Sequence, residues 1–112
     1  MITEYPLEHR RYDGSEYEPF WAAAEALDLP LSLHRRRQGR IRGAGDKTLR
    51  DASSRATKAF YPALPLCDLI FSGVFERHPG LTLAIVEFEL AWAPHLLSTM
   101  DYTYRKRDGE AI

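Results

Sequence analysis

Leu81-Thr82-Leu83-Ala84-Ile85-Val86-Glu87 is the stretch that decides the fold. It is almost wholly apolar, closes on one acidic residue, and follows Pro79-Gly80, a pair that turns the chain. A run this short between a turn signal and a charge reads as a strand rather than a helix. Continuous hydrophobicity, as opposed to strict alternation, is the pattern of a strand covered on both faces, as in a parallel sheet flanked by helices.

Working back along the chain, Leu29-Pro30-Leu31-Ser32-Leu33-His34 has the same character, with proline at its beginning, where a missing backbone donor does least harm. It reads as a second buried strand ending at His34. The two strands are separated by a crossover of the right length, which makes them parallel neighbours. Within that crossover apolar residues return over 59–77. Pro62 and Pro65 break its first part, and Leu66, Leu69, Ile70, Gly73 and Val74 are spaced for a helix in the second. After the second strand, Ala93, Leu96, Leu97, Met100 and Tyr104 share one face of a helix over 90–107. Arg105, Lys106 and Arg107 suit the negative end of its dipole, and Gly109 lies just beyond. Ahead of the first strand, Tyr17, Phe20, Trp21, Ala24 and Leu27 form the stripe of a helix that starts at a Ser15/Glu18 capping box and ends near Asp28. Residues 1–14 read as an extended lead-in and a turn. The order is helix, strand, loop plus helix, strand, helix: an α/β fold of two consecutive strand-helix units with a preceding helix.

The 112-residue chain is 45% hydrophobic and 28% charged, the balance of an ordinary globular domain. A net charge of -1 draws it to neither nucleic acid nor an anionic membrane. Charge is instead local: residues 35–58 hold nine Lys or Arg against Asp46 and Asp51, a surplus of +7, with three glycines, and read as a long loop with a short helix near its end. No aromatics are interleaved with those arginines to stack on bases, so no nucleic-acid partner is expected. The apolar runs fall short of the roughly 20 residues of a membrane span, and the N-terminus lacks the basic flank and apolar core of a signal peptide. A cytoplasmic protein without a membrane partner is the expectation. Cys67, between Leu66 and Asp68, reads as a small core residue.

In parallel α/β folds the site forms at the C-terminal ends of the strands, where the loops converge. His34 and Glu87 are the polar residues that close the two strands. Side by side there, an imidazole and a carboxylate can ligate a divalent metal or transfer a proton; alternatively each merely caps its strand. Glu89 is a second acid or a carboxylate at a helix N-terminus. Trp92 is core or a pocket wall. His78, at the turn before the second strand, is expected on the surface, and His9, in the lead-in, and His95, in the first turn of the last helix, are more often bland than ligands. The basic stretch suits an anionic substrate, or is a solvated loop.

YEPFWAAAEALDLPLSLH (residues 17–34) and DLIFSGVFERHPGLTLAIVEFELAWAPHLLSTMDYTY (residues 68–104) resemble the amidohydrolase-related (amidohydrolase 2) family, the metal-dependent hydrolases and decarboxylases that include aminocarboxymuconate-semialdehyde decarboxylase. SGVFERHPGLTL, residues 72–83, is the most specific part. The resemblance implies a (β/α)8 TIM barrel with a divalent metal, commonly zinc, at the strand ends. A His-x-His pair on the first strand, a histidine on the fifth and an aspartate on a late strand would hold it. His34 matches the fifth-strand histidine and is the implied metal ligand. Glu87 falls at a catalytic position, as general acid/base or a carboxylate behind the ligand.

Arg35, Arg36 and Arg37 stand where the family has a small residue and glycine, and the chain contains no His-x-His. A barrel of this type needs roughly 250 residues. Residues 1–112 are therefore expected to be a fragment of one TIM-barrel domain, its fifth and sixth strand-helix units, acting on a small carboxylated or cyclic substrate and inactive in isolation. Strand edges left uncovered favour homo-oligomers or other association. The alternative is a noncatalytic relic or accessory module that binds an anion or a protein partner through the basic loop.

Overall fold

A computed structural model describes residues 1–3, 10–34, 52–53 and 55–106. Both expected strands form, each shorter than its apolar run: β2 is Leu31–His34 and β3 is Leu83–Val86. A further strand, β1 (Ile2–Thr3), lies in the stretch expected to be an extended lead-in, so among the described residues the sheet has three strands rather than two. Two residues are too few to show periodicity, and only pairing reveals them as a strand. The order is β1-β2-β3 and both pairings are parallel. Ile2 lies opposite Leu33, Thr3 opposite His34, Leu31 opposite Leu83 and His34 opposite Val86.

Because side chains alternate across a strand, this register sorts them into two faces. Leu31, Leu33, Leu83 and Ile85 face the helices and join a core of Trp21, Ala24, Leu69, Val74, Leu81 and Phe88. Leu33 is fully buried, which contributes roughly 1.5–3 kcal/mol relative to leaving it exposed. Ser32, His34, Ala84 and Val86 face the other way. Ala84 is exposed, so β3 is not covered on both faces among the described residues as its unbroken apolar run suggested.

A 3₁₀ turn (Ser15–Tyr17) leads into α1 (Glu18–Ala26), which buries Trp21 and Ala24. Tyr12 and Tyr17 meet Trp21 at centroid distances of 5.7 and 5.8 Å. Phe20 and Leu27, expected on that stripe, are exposed. The expected capping box is absent: no side chain caps this start, and the Glu18 carboxylate accepts from Arg77 and pairs with His78 instead. Asp28, at φ 47°, reverses the chain into β2.

The prolines of the crossover do not break its helix. α2 (Ala63–Phe71) starts from Pro62 and carries Pro65 in its first turn, where backbone donors lack helical partners in any case. Ser72 caps its end, and Gly73, at a φ of 73° that would strain a residue with a Cβ, leads into α3 (Val74–Arg77). α2 also buries Asp68, whose carboxylate accepts from Arg11 Nε at 3.0 Å and from a second Arg11 nitrogen. Cys67 beside it is half-buried, and burial first, then the Asp68 charge, pushes its thiol pKa up.

α4 (Ala93–Lys106) carries Arg105 and Lys106 in its last turn as expected, but of its apolar face only Met100 is buried. Leu97 and Tyr104 are exposed, for no described layer lies over them. Of the basic stretch, residues 35–51 and 54 lie outside the described residues; Ala52, Ser53, Arg55 and Ala56 are helical and Lys58–Phe60 form a 3₁₀ turn. His9, Arg107 and Gly109 also lie outside them. Among the described residues no helix is long and apolar enough to cross a membrane.

Candidate functional site

The C-terminal ends of β2 and β3 are level, because His34 pairs in register with Val86. Glu87, one residue on, thus lies beside His34: Nε2 and Oε2 are 3.2 Å apart, with the side chains 32% and 69% exposed. The two residues that close the strands come together, on the face turned away from the helices.

β3 runs directly into an unusual turn. Glu87 has φ 69° and Glu89 φ 63°, the left-handed region, which costs a residue with a Cβ about 1–2 kcal/mol. Phe88 between them is 1% exposed and sits in the core. Trp92, packed against the same core, donates its indole N–H to the carbonyls of Phe88 at 2.9 Å and Glu89 at 3.0 Å. One buried ring and one indole bridge hold the backbone in a conformation that turns both carboxylates outward. Trp92 is thus a half-buried brace for the turn.

Glu89 lies before the first turn of α4 and forms an ion pair with Lys58. The Lys58 ammonium holds its carboxyl below the ordinary 4.5, so Glu89 stays ionised at the mouth. Lys58 was missed as a site residue because it reads as one more cation of the basic stretch. Its position just before apolar residues resume is the only signal that could have marked it. His95 is exposed in the first turn of α4.

His78 departs from expectation. Instead of lying on the surface it is 9% exposed, because its ring fits between the Glu18 and Glu25 carboxylates of α1.

Two donors bound to one tetrahedral ion at about 2.0–2.1 Å each lie about 3.3 Å apart. The 3.2 Å between His34 and Glu87 is thus compatible with a shared metal as well as with a hydrogen bond. Among the described residues, however, no group of three or more His, Cys, Asp or Glu can hold a metal ion. A catalytic metal typically takes three protein ligands, so these residues fit a metal centre only in part.

A parallel sheet backed by helices, with an imidazole and a carboxylate at the C-terminal mouth, is the arrangement of a βα-barrel enzyme. The amidohydrolase family matches residues 3–108, from the end of β1 to beyond α4, and the chain belongs to that family. Its three strands are part of a TIM-barrel sheet, and the family at large is one of metal-dependent hydrolases and decarboxylases. Over 78 residues, 66% of this chain, it is 36% identical to the gamma-resorcylate decarboxylase of Rhodococcus jostii (strain RHA1). The chain spans 23% of the length of that relative.

Proposed function

We propose that this chain is part of a single metal-dependent barrel that decarboxylates a small carboxylated compound of the kind named for the Rhodococcus relative. The observation that carries this is the approach of His34 to Glu87 at the strand ends, in a chain that is 36% identical over 78 residues to a decarboxylase. With β2 as the fifth strand of the barrel, β1 is the fourth and β3 the sixth, and the face that bears Ser32, His34 and Ala84, turned away from the helices, is the barrel interior. His34 contributes one ligand to a divalent metal, zinc being the commonest in the family, and strands outside this stretch supply the others.

The metal, when bound, polarises the substrate carboxylate. Glu87 is the proton carrier. The Glu87 carboxylate takes up a proton from water; as the bond to the carboxyl carbon breaks and CO2 leaves, the electron pair stays on the substrate carbon and takes that proton. Lys58, paired with Glu89, offsets the charge of that acid at the mouth, so that an anionic substrate does not meet it as an unscreened negative charge.

The test is made on the complete barrel that carries this stretch. Metal content by mass spectrometry is expected to fall at least 10-fold in His34→Ala. Glu87→Gln is expected to keep the metal and lose CO2 release from gamma-resorcylate by 10²-fold or more. Full metal occupancy in His34→Ala would remove the assignment.

A further inference from the structure

A second cluster of charged side chains lies at the opposite end of β3. His78 precedes the turn that starts β3, and both of its ring nitrogens meet carboxylates of α1: Nε2 lies 3.0 Å from Glu18 Oε2 and Nδ1 3.1 Å from Glu25 Oε2. The two acids are seven residues apart, two helical turns, and so share one face of α1. Their remaining oxygens are also engaged. Glu18 Oε1 accepts from Arg77 Nε at 3.1 Å, and Glu25 Oε1 accepts from the Gly80 backbone N–H at 2.7 Å.

An ionised carboxylate only accepts hydrogen bonds, and a neutral imidazole has only one N–H. Two carboxylates against the two nitrogens of one ring therefore require a hydrogen on each nitrogen. We propose that His78 is held as an imidazolium clamp between Glu18 and Glu25, tying α1 to the turn before β3 and releasing it as pH rises. The charged groups facing the ring are Glu18 and Glu25 from α1 and, through Glu18, Arg77 from α3, with Glu76 adding charge beside Arg77. Glu18 and Glu25 are offset by the Arg77 guanidinium and the imidazolium, with Glu76 one further negative charge beside Arg77. Loss of the ring proton leaves an excess negative charge and sets a lone pair against an oxygen.

The directions of titration agree. Bonding to Glu18 first, and then to Glu25 against the cost of burial, raises the His78 pKa above its ordinary 6.5. Arg77 first for Glu18, and the Gly80 N–H first for Glu25, lower those carboxyls below 4.5. For a raised histidine, the stabilisation is complete below the unfolded value and is lost as pH rises through the folded one; for lowered carboxyls it is complete above the unfolded value and lost as pH falls. The stabilisation the clamp contributes is therefore complete between about 4.5 and 6.5 and declines on either side, as pH falls through the lowered carboxyls and as it rises through the raised imidazolium.

Two measurements on the full 112-residue chain decide it. Nitrogen-15 correlation spectra at about pH 6, inside that window, are expected to show both His78 ring nitrogens protonated; one bare ring nitrogen overturns the clamp. The thermal unfolding midpoint is expected to fall as pH rises from 6.5 in the native chain and to lose that slope in His78→Gln, and an unchanged slope overturns it. Should His78→Gln not fold, Glu25→Gln leaves the ring with one acid, and its titration is expected to move to lower pH. No movement there overturns the clamp equally.

Discussion

Replacing Glu87 by glycine and, separately, by alanine isolates the backbone strain at the mouth of the sheet. Both variants remove the carboxylate and its 3.2 Å contact with His34, an exposed pair worth at most about 1 kcal/mol. They differ only in the Cβ. At φ 69° a Cβ costs about 1–2 kcal/mol, which glycine escapes. Glycine in turn loses about 0.5–1 kcal/mol more chain entropy on folding. The balance leaves Glu87→Gly more stable than Glu87→Ala by about 0.5–1 kcal/mol, and within about 1 kcal/mol of the native chain. In ordinary extended backbone the order is reversed by a similar amount, so the sign alone is diagnostic. Urea unfolding followed through Trp21 and Trp92 fluorescence gives the difference as a shift in midpoint at constant slope. In a thermal scan the gap corresponds to about 4 °C. An alanine variant as stable as the glycine one, or more so, would refute the left-handed turn and the inference that Phe88 and Trp92 hold it.

Leu33→Ala, at the fully buried centre of the sheet, is expected to cost about 3 kcal/mol in the same unfolding assay, against almost nothing for Leu97→Ala on the exposed side of α4. Lys58→Met removes the chief cause of the lowered Glu89 carboxyl, whose titration, followed by carbon NMR, should climb back toward 4.5. A lowered carboxyl contributes stability only above its ordinary value and loses it as pH falls, so the native chain and Lys58→Met should converge in acid.

The amino-acid sequence alone determined the order of elements and their parallel arrangement. Short apolar runs ending at His34 and Glu87, the α1 stripe through Trp21 and Ala24, and the Pro79-Gly80 turn are local patterns written by the 2- and 3.6-residue periods of the backbone. Those same strand ends marked His34 and Glu87 as a pair, because a parallel sheet brings successive C-termini to one mouth. Everything else depended on partners distant in sequence. Ile2 and Thr3 became a strand only by pairing with Leu33 and His34. His78 is buried only because α1 sets two acids at the right spacing to receive its ring. Lys58 joined the site only by meeting Glu89 across 31 positions. Ala84 and Leu97 are exposed despite apolar patterns that foretold burial, since hydrophobicity states that a face should be covered, whereas only the packed elements decide whether it is.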